Sequence, residues 1–237
     1  MAENVRKHIL IQHKYHMEQT ETMKSQLNQP TIPPVSKPNE QGNISVQGHI
    51  KIFDPETKEV FIDKRNAIHY ENFSIAMARS LSNQGYGTIA EMAFGNGGTR
   101  VDETGIITYL TPNVIGTSAS LYNQTYYKTV DARQPSDLDP ARNFMETRHV
   151  AGTSYTDILV SCLLDFGEPN GQAAFDNSTN SEGNFVFDEL GLKAYSPDGE
   201  GLGDLLTHVI FHPVQKSLNR MIQIDYTVRV QSLTSGI

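Results

Sequence analysis

Apolar and polar residues alternate with a period of two over 44–52. Ile44, Val46, Gly48, Ile50 and Ile52 face one way and Ser45, Gln47, His49 and Lys51 the other, the pattern of a half-buried strand. Asp54-Pro55-Glu56-Thr57 reads as a turn, and Glu59-Val60-Phe61-Ile62 returns as a hairpin partner. The period then changes. Tyr70, Phe73, Met77 and Leu81 step by three, four and four, which predicts an amphipathic helix over 68–83, stopped by Gly85 and Gly87. After it come segments that read as strands: 89–94, 121–130, 156–166, 184–187, 207–211 and 221–231. In 156–166, Ile158, Val160, Cys162, Leu164 and Phe166 form an apolar face, with Leu159 and Leu163 on the other side, so a central strand between two layers is expected. The final strand points Ile222, Ile224, Tyr226, Val228 and Val230 inward. Polar loops are expected around 131–143 and 167–183. The whole predicts an antiparallel β-sandwich body, residues 41–237, with one short helix.

The first forty residues follow another rule. Residues 3–28 are mostly helix formers with no Gly or Pro, and Val5, Ile9, Met23 and Leu27 fall near one thin helical stripe interrupted by His16. As a helix they would extend about 39 Å. Pro30, Pro33, Pro34 and Pro38 then impose an extended, polyproline-like spacer. Residues 1–40 therefore read as an arm, with Val5, Ile9, Leu10, Tyr15, Met23 and Leu27 as its apolar contacts and Pro33 and Pro34 as its stiffener.

Composition agrees with a β-rich body. The apolar share is 38% and the charged share 19%, and 18 Gly and 11 Pro suit turns better than long helices. Net charge is −8; residues 1–40 carry five basic and four acidic side chains, +1, which leaves −9 for the rest. An acidic body repels phosphate backbones, so no direct sequence-specific nucleic-acid binding is expected. No stretch approaches 18 apolar residues, so no membrane span is expected. The N-terminus lacks the apolar core of a signal peptide, which points to synthesis and folding in cytoplasm.

Candidate chemistry is sparse. Phe94-Gly95-Asn96-Gly97-Gly98-Thr99-Arg100 has the glycines of a phosphate-binding loop, but no Lys-Ser/Thr pair and no following helix, so Gly95, Gly97 and Gly98 are expected to serve a tight structural turn. His8, His13 and His16 lie near one another on the arm without a carboxylate partner, and His208 and His212, four strand residues apart, sit about 13 Å from each other, too far to share an ion. Asp176–Glu182 alternates oxygen ligands like a calcium loop but lacks the sixth-position glycine and the twelfth-position acid. The lone Cys162 reads as a small buried hydrophobe, and Asp137, Asp139 and Asp165 carry no catalytic signature. No catalytic residue, cofactor or metal is expected, and the protein is read as a non-enzyme. Tyr122 and Tyr126 would share a sheet face if their strand is regular, a platform that a glycan-binding module would use; packing in the core or on a subunit contact is the plainer reading.

Two stretches carry a resemblance. Asn66-Ala67-Ile68-His69-Tyr70-Glu71-Asn72-Phe73, the helix, Ile89 to Gly98, and Leu121 to Lys128 resemble a layout of tailed-bacteriophage virion proteins, in which Asn-x-Ile precedes a short helix and a strand ends in a Gly-rich turn. Phe211-His212-Pro213-Val214-Gln215-Lys216-Ser217, with Arg220 and Ile224-Asp225-Tyr226-Thr227-Val228, is similar to the closing strand pair of phage neck, collar and tail-fibre-attachment domains. The resemblance implies a virion protein assembled in the host cytoplasm: a homo-oligomeric ring or collar at the head–tail junction, touching portal or connector, tail or capsid proteins. It equally admits a baseplate or tail-fibre anchor, a capsid decoration protein, or a carbohydrate- or receptor-binding module.

Overall fold

The computed structural model describes residues 42–130, 142–172 and 185–234. The arm residues Val5, Ile9, Leu10, Tyr15, Met23, Leu27, Pro33 and Pro34, together with Asp137, Asp139, the arm histidines and the calcium-like stretch, lie outside these.

The first strand lies where the alternation lies. In β1 (Gly42–Phe53), Val46, Gly48, Ile50 and Ile52 are buried and the intervening side chains are not. Ile44, expected on the same inner face, is 63% exposed because it lies beyond the reach of the core at the strand's outer end. Asp54 builds the turn by accepting from the Glu56 and Thr57 amides at 2.8 and 3.0 Å, and Lys58 takes the left-handed backbone (φ 65°) that closes it. β2 (Val60–Ile68) then runs back along β1. Helix α1 (Tyr70–Leu81) follows; His69 caps it, its Nδ1 accepting from the Asn72 amide at 3.1 Å, and Glu71 and Arg79 complement the helix dipole.

The remaining strands are β3 (Ile89–Gly95), β4 (Thr99–Val101), β5 (Ile107–Tyr109), β6 (Gln124–Thr129), β7 (Phe144–His149), β8 (Tyr155–Leu164), β9 (Phe185–Ala194), β10 (Thr207–Lys216) and β11 (Ile222–Thr234). β4 and β5 form a small hairpin; the other nine make one antiparallel sheet in the order β6-β3-β9-β10-β2-β1-β11-β8-β7. The body is thus mainly β with one helix among the described residues. The two separate sheets expected from the sequence are instead one curled sheet. Its four- and five-stranded parts are joined by only two residue pairs, Thr207↔Ile68 and His208↔Ala67.

Local chemistry explains that narrow joint. β10 changes register between Ile210 and Val214, and a bulge bends and twists the strand that carries it. Beyond the joint β2 and β10 part, and Lys64 Nζ donates to the freed Ile210 carbonyl at 2.8 Å. The sheet can then fold over one core. Phe94, Phe185, Phe187 and Phe211 from the four-stranded part and Ile50, Ile52, Ile224 and Tyr226 from the five-stranded part belong to a single buried cluster, with Phe94–Phe187 and Phe187–Phe211 packed edge to face. In β8 the inward set is Ile158, Val160, Cys162 and Leu164. Phe166 lies beyond the strand and is exposed, and β8 is second from the sheet edge rather than central.

Candidate functional site: a carboxylate clamp and an apolar groove

Two features of the body stand out, one polar and buried, the other apolar and open. The first is built on β9, where Asp188 and Glu189 stand between apolar residues and are both buried. Asp188 accepts from the Gly98 and Thr99 amides at 2.9 and 2.8 Å and from the Thr99 hydroxyl. Glu189 accepts from the amides of Gly97 (3.1 Å), Asn123 (2.8 Å) and Tyr122 (2.9 Å). Its fourth donor is His208 Nε2 at 2.9 Å, both side chains being fully buried. His208 Nδ1 accepts from the Asn113 amide at 2.7 Å, which places the ring proton on Nε2.

The electrostatics follow from these contacts. Burial alone drives the Glu189 carboxyl upward; the His208 bond, then the Asn123 and Tyr122 amides, outweigh it and hold the group below its ordinary value. For Asp188 burial prevails over the Thr99 and Gly98 bonds, with the Glu189 charge adding to it, and the carboxyl is raised. The two acids, adjacent in sequence, are pushed apart in acidity.

The glycines are explained by proximity rather than by unusual backbone angles. A Cβ on Gly95 would stand 2.5 Å from both the Asn123 carbonyl and Glu189 Oε1; one on Gly97 would stand 2.8 Å from the Asn123 nitrogen and Tyr122 Cβ. Gly98 is tight against Ile210 and Glu189 at 3.0 and 3.1 Å. The loop does cradle anions, but they are the protein's own carboxylates: the amides a phosphate would need are already committed to Asp188 and Glu189. Sequence reasoning missed this pair. The signal available was two adjacent acids between the apolar residues Phe185–Phe187 and Leu190–Leu192.

The second feature is a groove of about 580 Å³ between α1 and the far part of the sheet. Phe73, Met77 and Leu81 of α1 form one wall, and Met145, Ile158 and Val230 of β7, β8 and β11 the other. Leu81 is 86% exposed at its mouth. Ser80, Glu146 and Thr147 supply the polar points of the rim.

Other expected residues fall elsewhere. Tyr122 and Tyr126 do not share a platform: β6 begins at Gln124, Tyr126 is in the core against Phe94 and Phe185, and Tyr122 lies outside the strand, half exposed, its hydroxyl donating to the Thr111 carbonyl at 2.7 Å. Tyr127, on the opposite face, donates to Glu200 at 3.2 Å. His212 is exposed beside Tyr109 whereas His208 is buried, because the bulge between them breaks the alternation. Cys162 is fully buried and burial pushes its thiol up to about 12, the reverse of an activated nucleophile. Asp165 is exposed and accepts from the Phe166 amide at 2.7 Å. Among the described residues no three His, Cys, Asp or Glu side chains are grouped to hold a metal ion, and no helix is long and apolar enough to cross a membrane. No family model matches the chain, and no curated protein or solved structure matches it either.

Proposed function

We propose that this chain is a structural subunit of a tailed-phage virion, which forms a ring or collar at the head–tail junction through contacts made by its N-terminal arm. In this reading the two parts of the curled sheet act as the layers of a β-sandwich module, and residues 1–40 order as a helical arm and spacer on a neighbouring subunit. Support comes from the resemblance of the sequence layout to that of phage neck and collar domains and from the use to which the body's buried polar groups are put. Asp188, Glu189 and His208 spend their hydrogen bonds on pinning loops of the same chain.

The observation that carries the reading is the contrast between arm and body. Core side chains from Val46 to Val228 enclose one another at 7% exposure or less. The arm offers only a thin apolar stripe, too little to offset the cost of ordering it alone. A neighbour's surface supplies what is lacking, and the prolines lower the ordering cost by restricting the free chain.

Deletion of residues 1–40 tests this. Size-exclusion chromatography with light scattering, followed by electron microscopy, should give rings from the full chain and a folded, soluble, unassembled body from the truncated one. Full assembly by the truncated chain refutes the proposal.

A further inference from the structure

The proposed function leaves open what surface the arm meets. The groove beside α1 fits that need. It is apolar along both walls, its volume of about 580 Å³ lies within the range of sites that bury a ligand, and an exposed leucine, Leu81, stands at its mouth. An open apolar slot of this kind marks an interaction surface.

Three observations select the occupant. The sequence holds 41 residues before Gly42, and their apolar side chains include a closely spaced set, Val5, Ile9 and Leu10. The charges complement in sign: Arg6 and Lys7 lie between Val5 and Ile9, the arm as a whole carries +1 against −9 for the rest, and Glu146, on the groove rim, is exposed beside its partner Arg148, so that a second cation can share its carboxylate. The chain geometry is also suitable. Val46 pairs with Val230, a groove residue, and four residues earlier Gly42 pairs with Thr234, so Gly42, the residue to which the arm is joined, lies at the groove's end of β1 and β11. As the polyproline-like spacer that their four prolines predict, residues 30–38 would span about 28 Å at about 3.1 Å each, a length that could carry the stripe to an adjacent subunit.

We infer that the groove between α1 and β7–β8 receives the arm of a second copy of this chain, with Val5, Ile9 and Leu10 against Met77, Leu81 and Met145 and the basic pair Arg6-Lys7 facing Glu146. This rests on the arm-mediated assembly proposed above and names its receptor. Each subunit gives an arm and receives one, the head-to-tail relation that generates rings.

Two full-length variants, I9C and S80C, test the contact when co-expressed. Ser80 lies on the groove wall and is exposed, and the native Cys162 is buried. Mild oxidation of the mixture should give a band of doubled mass on a non-reducing gel that neither variant gives alone. Because each polypeptide carries one new thiol, such a band requires contact between copies. S80R, placed in the full chain, should weaken assembly at least tenfold by light scattering while leaving the circular-dichroism spectrum unchanged. Assembly without the mixed cross-link and insensitive to S80R overturns the groove as receptor and leaves the arm reading standing. Failure of the wild-type chain to assemble at all removes both. A band from S80C alone would mean that two grooves face each other, which also overturns the inference.

Discussion

Glu189 shows how much a single side chain can organise. One carboxylate satisfies the amides of Gly97, Tyr122 and Asn123 and the ring of His208, tying β9 to two loops and to β10. A glutamine there keeps the volume but turns an acceptor into an amide donor aimed at other donors. Leaving such buried groups unpaired is expensive. Glu189→Gln should cost about 2–4 kcal/mol, read as a lower urea midpoint with an unchanged slope; a loss under about 0.5 kcal/mol would show that the clamp is dispensable. Lys216 is the opposite case. It is buried with one described hydrogen bond, to the Ser217 carbonyl at 2.8 Å, and burial, opposed by Glu168 and Asp165, brings its ammonium from 10.5 to about 8. Between those values the unfolded chain holds a proton the folded chain has released, so stability rises with pH through that window and is flat below it. Lys216→Met should remove that rise and stabilise the body by about 1–2 kcal/mol at pH 7, after allowance for partial hydration of the ammonium. Denaturant titrations at pH 7, 8, 9 and 10 read both effects.

At the scale of elements, legibility followed burial on one face. β1, β8 and β11 each bury an apolar face more deeply than the first half of the other, which carries mainly polar or half-buried side chains, so their alternation survives in sequence, as does the three-four-four step of α1. β7 has no such face: Met145 is only partly buried and Glu146, Thr147, Arg148 and His149 are all exposed, because it is the sheet's last strand. β4 and β5 are three residues each and mostly exposed. Most of β9 was lost for the reverse reason: both faces are buried and two acids break the apolar run, so only its first residues read as strand. The groove was half legible, since α1's apolar stripe was visible but its second wall depends on the unread β7. The clamp needs pairings across Gly97, Tyr122, Glu189 and His208, which no local window contains. The sheet order makes a dynamic prediction of its own. β7 pairs only with β8, whereas β1 and β11 are flanked on both sides in the middle of the five-stranded part. Hydrogen exchange by mass spectrometry should find the amides of 144–149 exchanging at least tenfold faster than those of 46–52 and 222–230. Equal protection of β7 in a preparation that does not assemble would contradict an open sheet edge; protection gained only on assembly would place that edge at a subunit contact.

For the whole molecule, stability and assembly should be linked, and the link has a calculable size. An arm that binds only the folded body of a neighbour stabilises that body by mass action, adding about 2.7 kcal/mol when the subunit concentration stands at 100 times the dissociation constant. For a domain of this size each kcal/mol shifts the melting temperature by about 2–4 °C. The full-length chain should therefore melt about 5–10 °C higher across a hundredfold rise in concentration that begins near its dissociation constant. The chain lacking residues 1–40 should melt at one temperature throughout, close to that of the dilute full-length protein, since the core from Val46 to Val228 is common to both. Differential scanning fluorimetry at matched concentrations reads the two curves. A truncated chain that melts well below the dilute full-length protein would mean that the arm stabilises its own subunit, and arm exchange would then be the wrong account of residues 1–40. A concentration-dependent rise in both chains would place the subunit contact on the acidic body, where β7 and the open groove are the surfaces to mutate next.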